Sequence, residues 1–145
     1  MENFPLRSVA TETVPRLESL SEEIVSQPRA PGKWSRKEIL GHLIDSACNN
    51  HRRFVKMQIQ SGLTLDGYEQ NDWVRLQNYQ QESWQAVVTL WQAYNLHLVH
   101  VLEQTPTKAL ANTCVLGGET LTLEFLVTDY LRHLQHHLGQ IFEDL

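Results

Sequence analysis

The sequence predicts an all-α protein, a four-helix bundle with long crossover connections. Three observations carry that reading. Over most of the 145 residues the apolar positions recur at helical spacing rather than alternating. Glycine and proline are sparse and fall between the periodic stretches. The periodic stretches number four, each about three to seven turns long, which is enough to enclose one core.

The first helix is expected from about Val14 to Val25, with Thr13 as N-cap and Pro15 in the first turn, where a missing N–H costs nothing. Leu17, Leu20, Ile24 and Val25 form its apolar stripe, and Pro31-Gly32 reads as the turn beyond it. The second helix has the clearest start. Ser35-Arg36-Lys37-Glu38 is a capping box, in which Ser35 accepts from the amide three residues on and Glu38 reaches back. This helix should continue to about Gln60, with Gly62 ending it, and Ile39, Leu40, Leu43, Ala47, Phe54 and Met57 share one face. A third helix is expected from about Gln80 to Glu103, with Trp84, Val87, Val88, Trp91, Leu98, Val101 and Leu102 as its stripe. Trp84 and Trp91 read as core or dimer seam. The fourth runs from near Thr122 to about Phe142, with Leu123, Leu126, Val127, Tyr130, Leu134, Leu138 and Ile141 inward.

The short link between the first two helices suits antiparallel neighbours. The links over residues 61–79 and 104–121 are each long enough to cross the bundle, and Cys114 to Leu121 has the pattern of a small hairpin. No repeat or second domain is visible, so 1–145 reads as a single domain.

Charge and composition exclude several partners. Twelve Lys and Arg against 17 Asp and Glu give a net charge of −5, which argues against nucleic acid, whose phosphates need a basic face. No stretch approaches the ~18 uncharged apolar residues of a membrane span. Two cysteines, Cys48 and Cys114, are too few for a disulfide framework. The opening residues Met1 to Arg7 lack the apolar core of a leader. A cytoplasmic protein acting on a small molecule is therefore expected. What stands out is histidine: seven copies, three of them between His133 and His137.

Residues four apart on a helix lie about 40° apart around the axis and about 6 Å along it. His133 and His137 can thus aim at one point, the spacing of helix-borne zinc sites. Leu134 stands where the zinc-protease motif has glutamate, so that motif and its general base are missing. On a helical wheel His137 points into the apolar arc and His133 borders it, whereas His136 leans towards solvent or another chain. A third ligand must come from a facing helix, and His42 is the best placed, beside the stripe of the second helix. Ser46, Asn49 and Arg53 fall within about 40° of His42 and form a polar strip, the candidate substrate-pocket residues. Inside such a pocket Arg53 would grip a substrate carboxylate bidentately. Three histidines from two helices leave one position of a tetrahedral ion open, as in catalytic sites.

The competing reading is three half-buried histidines satisfied by hydrogen bonds. His51, on the opposite side of its helix from His42, reads as packing or interface, and His97 and His100 as polar-face and flanking residues. Trp34 reads as a pin holding the turn to the bundle. Asp45 points away from the ligand stripe, and neither cysteine has a nearby base to make it a nucleophile.

The segment from Pro31-Gly32-Lys33-Trp34-Ser35 through Gly41-His42-Leu43-Ile44-Asp45-Ser46, followed by His51-Arg52-Arg53-Phe54, resembles the first signature of the DinB-like bundle superfamily. Tyr130-Leu131-Arg132-His133-Leu134-Gln135-His136-His137-Leu138-Gly139-Gln140-Ile141 resembles the second. The resemblance implies an up-down-down-up four-helix bundle, usually a homodimer, holding a divalent metal through three histidines. These fall here on His42, His133 and His137. Within the superfamily the chain is most similar to the YfiT-like branch of metal-dependent hydrolases, whose relatives include enzymes acting with thiols such as bacillithiol and mycothiol. The expected function is therefore a metal-dependent hydrolase of a small-molecule substrate, with zinc as the first expectation and nickel, manganese or iron as other ions such a site accepts. Two alternatives are a thiol S-transferase using a low-molecular-weight thiol cofactor and a non-enzymatic metal-binding dimeric bundle. No side chain is assignable as general base.

Overall fold

Three long helices, α4 (Arg36–Ile59), α6 (Trp84–Glu103) and α7 (Leu123–Phe142), form the frame of the protein. The structure is a computed structural model that describes residues 4–145, so Met1, Glu2 and Asn3, the first residues of the expected leaderless start, lie outside the described residues. Ahead of the frame come α1 (Leu6–Glu12), α2 (Val14–Glu18) and α3 (Glu22–Ser26). The link from α4 to α6 carries β1 (Leu63–Leu65) and α5 (Gln70–Gln77), and the link from α6 to α7 carries β2 (Thr113–Leu116) and β3 (Glu119–Thr122). α4 packs on both α6 and α7, and α1 and α2 complete the bundle against α6. No helix among the described residues is long and apolar enough to cross a membrane.

Helices α4 and α7 begin and turn their faces as the sequence predicts. α6 starts at Trp84 rather than near Gln80, because Ser83 caps it by accepting from the Ala86 amide and residues 79–81 form a separate 3₁₀ turn. Ser35 and Glu38 form both halves of the capping box, and Thr122 caps α7 by accepting from the Phe125 amide. Every predicted inward residue of α4 and α7 is buried. On α6, Trp84 and Trp91 are in the core, and the Trp84 indole donates to the Leu17 carbonyl at 2.7 Å.

The first helix differs most from expectation. Helical backbone begins earlier, at Leu6, and stops at Glu18; a separate turn, α3, then carries Val25 into the core while Ile24 is exposed. Pro15 lacks the N–H that would bond the Thr11 carbonyl, which breaks the path between α1 and α2. Ser19 and Ser21 end it, because short hydroxyl side chains offer the backbone local partners. Ser19 donates to the Arg16 carbonyl and Ser21 accepts from the Ile24 amide. Tertiary contacts then fix α3: Glu22 pairs with the buried Lys37 at 2.6 Å and accepts from the Trp84 amide.

The links are more structured than an all-α bundle requires. Residues 113–122 form the hairpin, turning through Gly117 and Gly118, both at positive φ, as a tight primed turn demands. β1 adds a parallel third strand, pairing Leu63 with Cys114 and Leu65 with Leu116. Three residues carry too little periodicity to announce a strand.

Tyr79, in a 3₁₀ turn after α5, lies over Gly41 of α4 so closely that a Cβ there would sit 2.2 Å from its ring. A Gly41→Ala substitution should cost about 1–3 kcal/mol, the usual penalty of overpacking. Gly139→Ala on α7, where a Cβ meets nothing within 4 Å, should instead stabilise by about 0.5–1 kcal/mol through helix propensity. Urea unfolding of the two variants beside the wild type reads both signs.

Candidate metal centre

Helix register decides which side chains meet. The capping box starts α4 at Arg36, which places His42 near the end of its second turn, on the face towards α7. Four residues separate His133 and His137 on α7, so their rings rise one above the other on one face. Arg36 ties the two helices at one end, donating from Nε to the Ile141 carbonyl and from Nη2 to the Glu143 carbonyl, both at 2.7 Å.

The structure brings these three histidines together. Ring centroids are 5.0 Å apart for His42 and His133, 4.8 Å for His42 and His137, and 4.5 Å for His133 and His137. One nitrogen from each lies within 4.8 Å of the others, and His42 Nε2 is 3.2 Å from His133 Nε2. His42 is buried, with Nδ1 lacking any partner. His137 Nδ1 faces Gln140 Oε1 at 2.8 Å. An amide oxygen only accepts, so Nδ1 carries the proton and Nε2 keeps its lone pair. Trp34 does more than pin a turn: its ring lies 4.9 Å from that of His42.

Two cavities reach the cluster. One of about 500 Å³ opens at His137 and Gln140 and is bordered by Trp34, Arg29, Lys33 and Gln70. The other, about 420 Å³, reaches His133 and is lined by Ser46, Asn50, Arg53 and Tyr68. Of the polar strip predicted on α4, Ser46 and Arg53 line this second cavity and Asn49 does not. The Asn49 amide instead folds back onto the Asp45 carbonyl at 2.9 Å, and Asn50 occupies the wall. His51, His97 and His100 stand apart: His51 bonds the Tyr94 hydroxyl at 3.0 Å and packs on His97, while His97 and His100 are exposed. His136 is also exposed but adjoins the trio, its ring 5.1 Å from that of His137.

Asp45 is a buried carboxyl that sequence reasoning set aside. Its Oδ1 accepts from the Tyr79 hydroxyl at 2.7 Å and from Gln77 Nε2 at 2.6 Å, and Oδ2 has no partner. Burial pushes its pKa up, against both hydrogen bonds. Among the histidines the charge balance is the reverse. Burial first, and then the neighbouring imidazoles, push His42 down to about 3. The same causes push His133 down to about 4, and burial lowers His137 against its Gln140 hydrogen bond. At neutral pH all three are uncharged, with lone pairs free to coordinate.

These shifts set opposite pH dependences. An unfolded histidine binds its proton near pH 6.5, whereas the folded trio refuses it until pH falls well below that. Stability from the trio is therefore complete above about pH 6.5 and is lost as pH falls towards 4. Asp45, protonated more readily folded than unfolded, contributes most below its unfolded value and loses that contribution as pH rises through its raised folded value. In metal-free protein, His42→Leu should reduce the slope of unfolding free energy against pH by about one proton between pH 4 and 6. Asp45→Asn should flatten the opposing loss. Urea titrations across pH 4–8 in the presence of chelator measure both, and an unchanged slope in His42→Leu would contradict the neutral-trio account.

No curated protein matches the chain in sequence. Among solved structures, YfiT from Bacillus subtilis superposes with a TM-score of 0.83 at 21% identity, over 95% of this chain and 82% of that one. That protein is described as a probable metal-dependent hydrolase with an unusual four-helix bundle topology; at this identity the likeness shows the fold. The sequence pattern of the DinB superfamily matches residues 6–141. With the match running from the first residue of α1 to the last turn of α7, the chain belongs to the DinB superfamily.

Proposed function

We propose that the protein is a metal-dependent hydrolase of a small-molecule substrate, in which His42, His133 and His137 hold one divalent ion. Zinc is the first expectation, and nickel, manganese and iron are alternatives with the same imidazole chemistry. The observation that carries the reading is the incomplete hydrogen bonding of the trio. With His42 Nε2 facing His133 Nε2 and His42 Nδ1 buried without a partner, no neutral tautomer satisfies both nitrogens of His42. If Nε2 carries the proton, a lone pair is buried at Nδ1; if Nδ1 carries it, a donor is. A cation accepted by the facing Nε2 lone pairs would remove the conflict between them, with the proton of His42 then held on Nδ1.

The chain's own residues then have distinct tasks. Gln140 holds His137 in the tautomer that presents Nε2, the orienting role that outer hydrogen bonds play around metal ligands. Trp34 covers one face of His42 and keeps water from it. When bound, the ion would supply Lewis acidity at the junction of the two cavities. Among the described residues no carboxylate joins the trio, which favours a site with an open position over a closed structural one. A thiol S-transferase is the second reading. The observation favouring it is that cavities of about 500 and 420 Å³ approach the trio at different histidines, giving room for a thiol cofactor and an electrophile together. Either reaction is proposed for a cytoplasmic homodimer with helices in up-down-down-up order.

Elemental analysis of untagged protein loaded with zinc should find about one equivalent, as a three-ligand site holds one ion. His137→Ala should fall to about a tenth of that or less while keeping its helical circular dichroism. A wild type that retains no transition metal under these conditions would end the proposal. Chelation should abolish turnover of an ester panel for the hydrolase, or thiol consumption for the transferase.

A further inference from the structure

Arg53 lies on α4 three turns beyond His42, in the wall of the cavity that reaches His133. Its guanidinium is half-buried, and burial depresses its pKa. One of its five donors is used, from Nη2 to the Asp66 carbonyl at 3.0 Å. The groups that bear on its charge are the Tyr68 hydroxyl and the Cys114 thiol, and among the described residues no carboxylate pairs with it. The other sheltered cations are accounted for. Lys37 pairs with Glu22, Arg29 pairs with Glu143, and Arg36 closes the carbonyl end of α7.

The rest of the cavity sets the size and charge of what Arg53 can take. Arg132, at the rim, is paired with Asp129, and Glu119 is exposed at the start of β3. The two carboxylates and two guanidinium groups of the lining thus balance in number. Among the described residues, however, Arg53 is the half-buried one with no carboxylate against it, which suits one negative charge and not a polyanion. Leu121, Phe125 and Leu126 give the same cavity an apolar lining, and about 420 Å³ is room for a small organic acid.

Resting on the reading of this site as a substrate centre, we propose that the substrate is a small monocarboxylate with an apolar body. Its carboxylate pairs with Arg53 beside Tyr68, and its reactive end extends towards His133. A planar guanidinium with free donors favours the bidentate geometry of a carboxylate.

The test uses the full chain without metal, so that it does not depend on the trio's loading, with 4-phenylbutyrate, its primary amide and inorganic phosphate as probes. Calorimetry or amide chemical shifts give the dissociation constants. The acid should bind about tenfold or more tightly than the isosteric amide, the usual worth of a charge-assisted pair. Arg53→Gln should erase that preference, Arg53→Lys should keep part of it, and His42→Leu should leave it intact. Equal binding of acid and amide, an unchanged preference in Arg53→Gln, or tighter binding of phosphate than of the acid would each overturn the proposal. If Arg53→Gln fails to fold, Arg53→Lys and the acid–amide comparison in the wild type decide. A protein that shows the preference but takes up no zinc would refute the metal reading and leave this one standing. The converse result would do the opposite.

Discussion

Three imidazoles crowded into one helix seam can be buried only uncharged, and the rest of the structure is arranged around that constraint. Protonating one would place a cation in an apolar wall beside two further basic rings. The seam must therefore hold its register closely, because a slip of one residue rotates a side chain by about 100° around its helix. The caps at Ser35 and Thr122 fix where α4 and α7 begin. The apolar stripes fix which way each faces. The Arg36 bonds to the carbonyls of Ile141 and Glu143 lock the start of one helix to the end of the other, so His42 and His137 arrive at the same level.

The crossover between α4 and α6 converts this seam into a site. Without it the polar face of α4 around Asp45 and Ser46 would open to water. With it, Tyr68 enters the wall beside Ser46 and Arg53, and Gln77 and Tyr79 close over Asp45. The contact between Tyr79 and Gly41 draws the crossover down onto the helix, since only a residue without a side chain allows that approach. The short sheet does the same at the far end, where β1 pairs with β2 and anchors the beginning of the crossover to the hairpin that leads into α7.

Much of this was legible in the sequence wherever local and tertiary signals agree. Helices α4 and α7 have strong periodicity and clear caps and α6 has strong periodicity, so their faces follow from spacing. Spacing put His133 and His137 on one face and made His42 the best-placed third ligand, while the resemblance to the paired DinB-like signatures joined the three into one site. The N-terminal segment was misread because Pro15, Ser19 and Ser21 break a plausible apolar period by local hydrogen bonding, and Glu22 is then recruited by Lys37 and Trp84 from distant parts of the chain. The wheel put Asn49 in the polar strip and left Asn50, about 100° further round the helix, out of it. Both amides fold back onto their own helix, Asn49 onto the Asp45 carbonyl and Asn50 onto the Ser46 carbonyl, and only Asn50 lies in the cavity wall. Tyr68 and Trp34 were invisible as site residues for a different reason: both come from links, where no period relates a residue to a face. The one usable signal for Asp45 was its position one turn from His42 on a helix whose neighbouring residues are apolar.

Burial lowers the pKa of both kinds of basic group along α4 but leaves them in different charge states, and that contrast ties the trio to the cavity beside it. Histidine titrates near neutrality, so a low-dielectric setting simply removes its proton and leaves a lone pair. Arginine has no such escape, because its guanidinium stays charged under all conditions a protein meets. The same helix therefore presents a neutral donor at His42 and, three turns on, a cation that has no carboxylate partner among the described residues. Leaving a half-buried charge uncompensated costs stability, and a fold that served stability alone would have placed a carboxylate against it, as this one does for Lys37 and Arg29. In the proposed site, the substrate carboxylate is the anion that would pair with Arg53 and offset that cost.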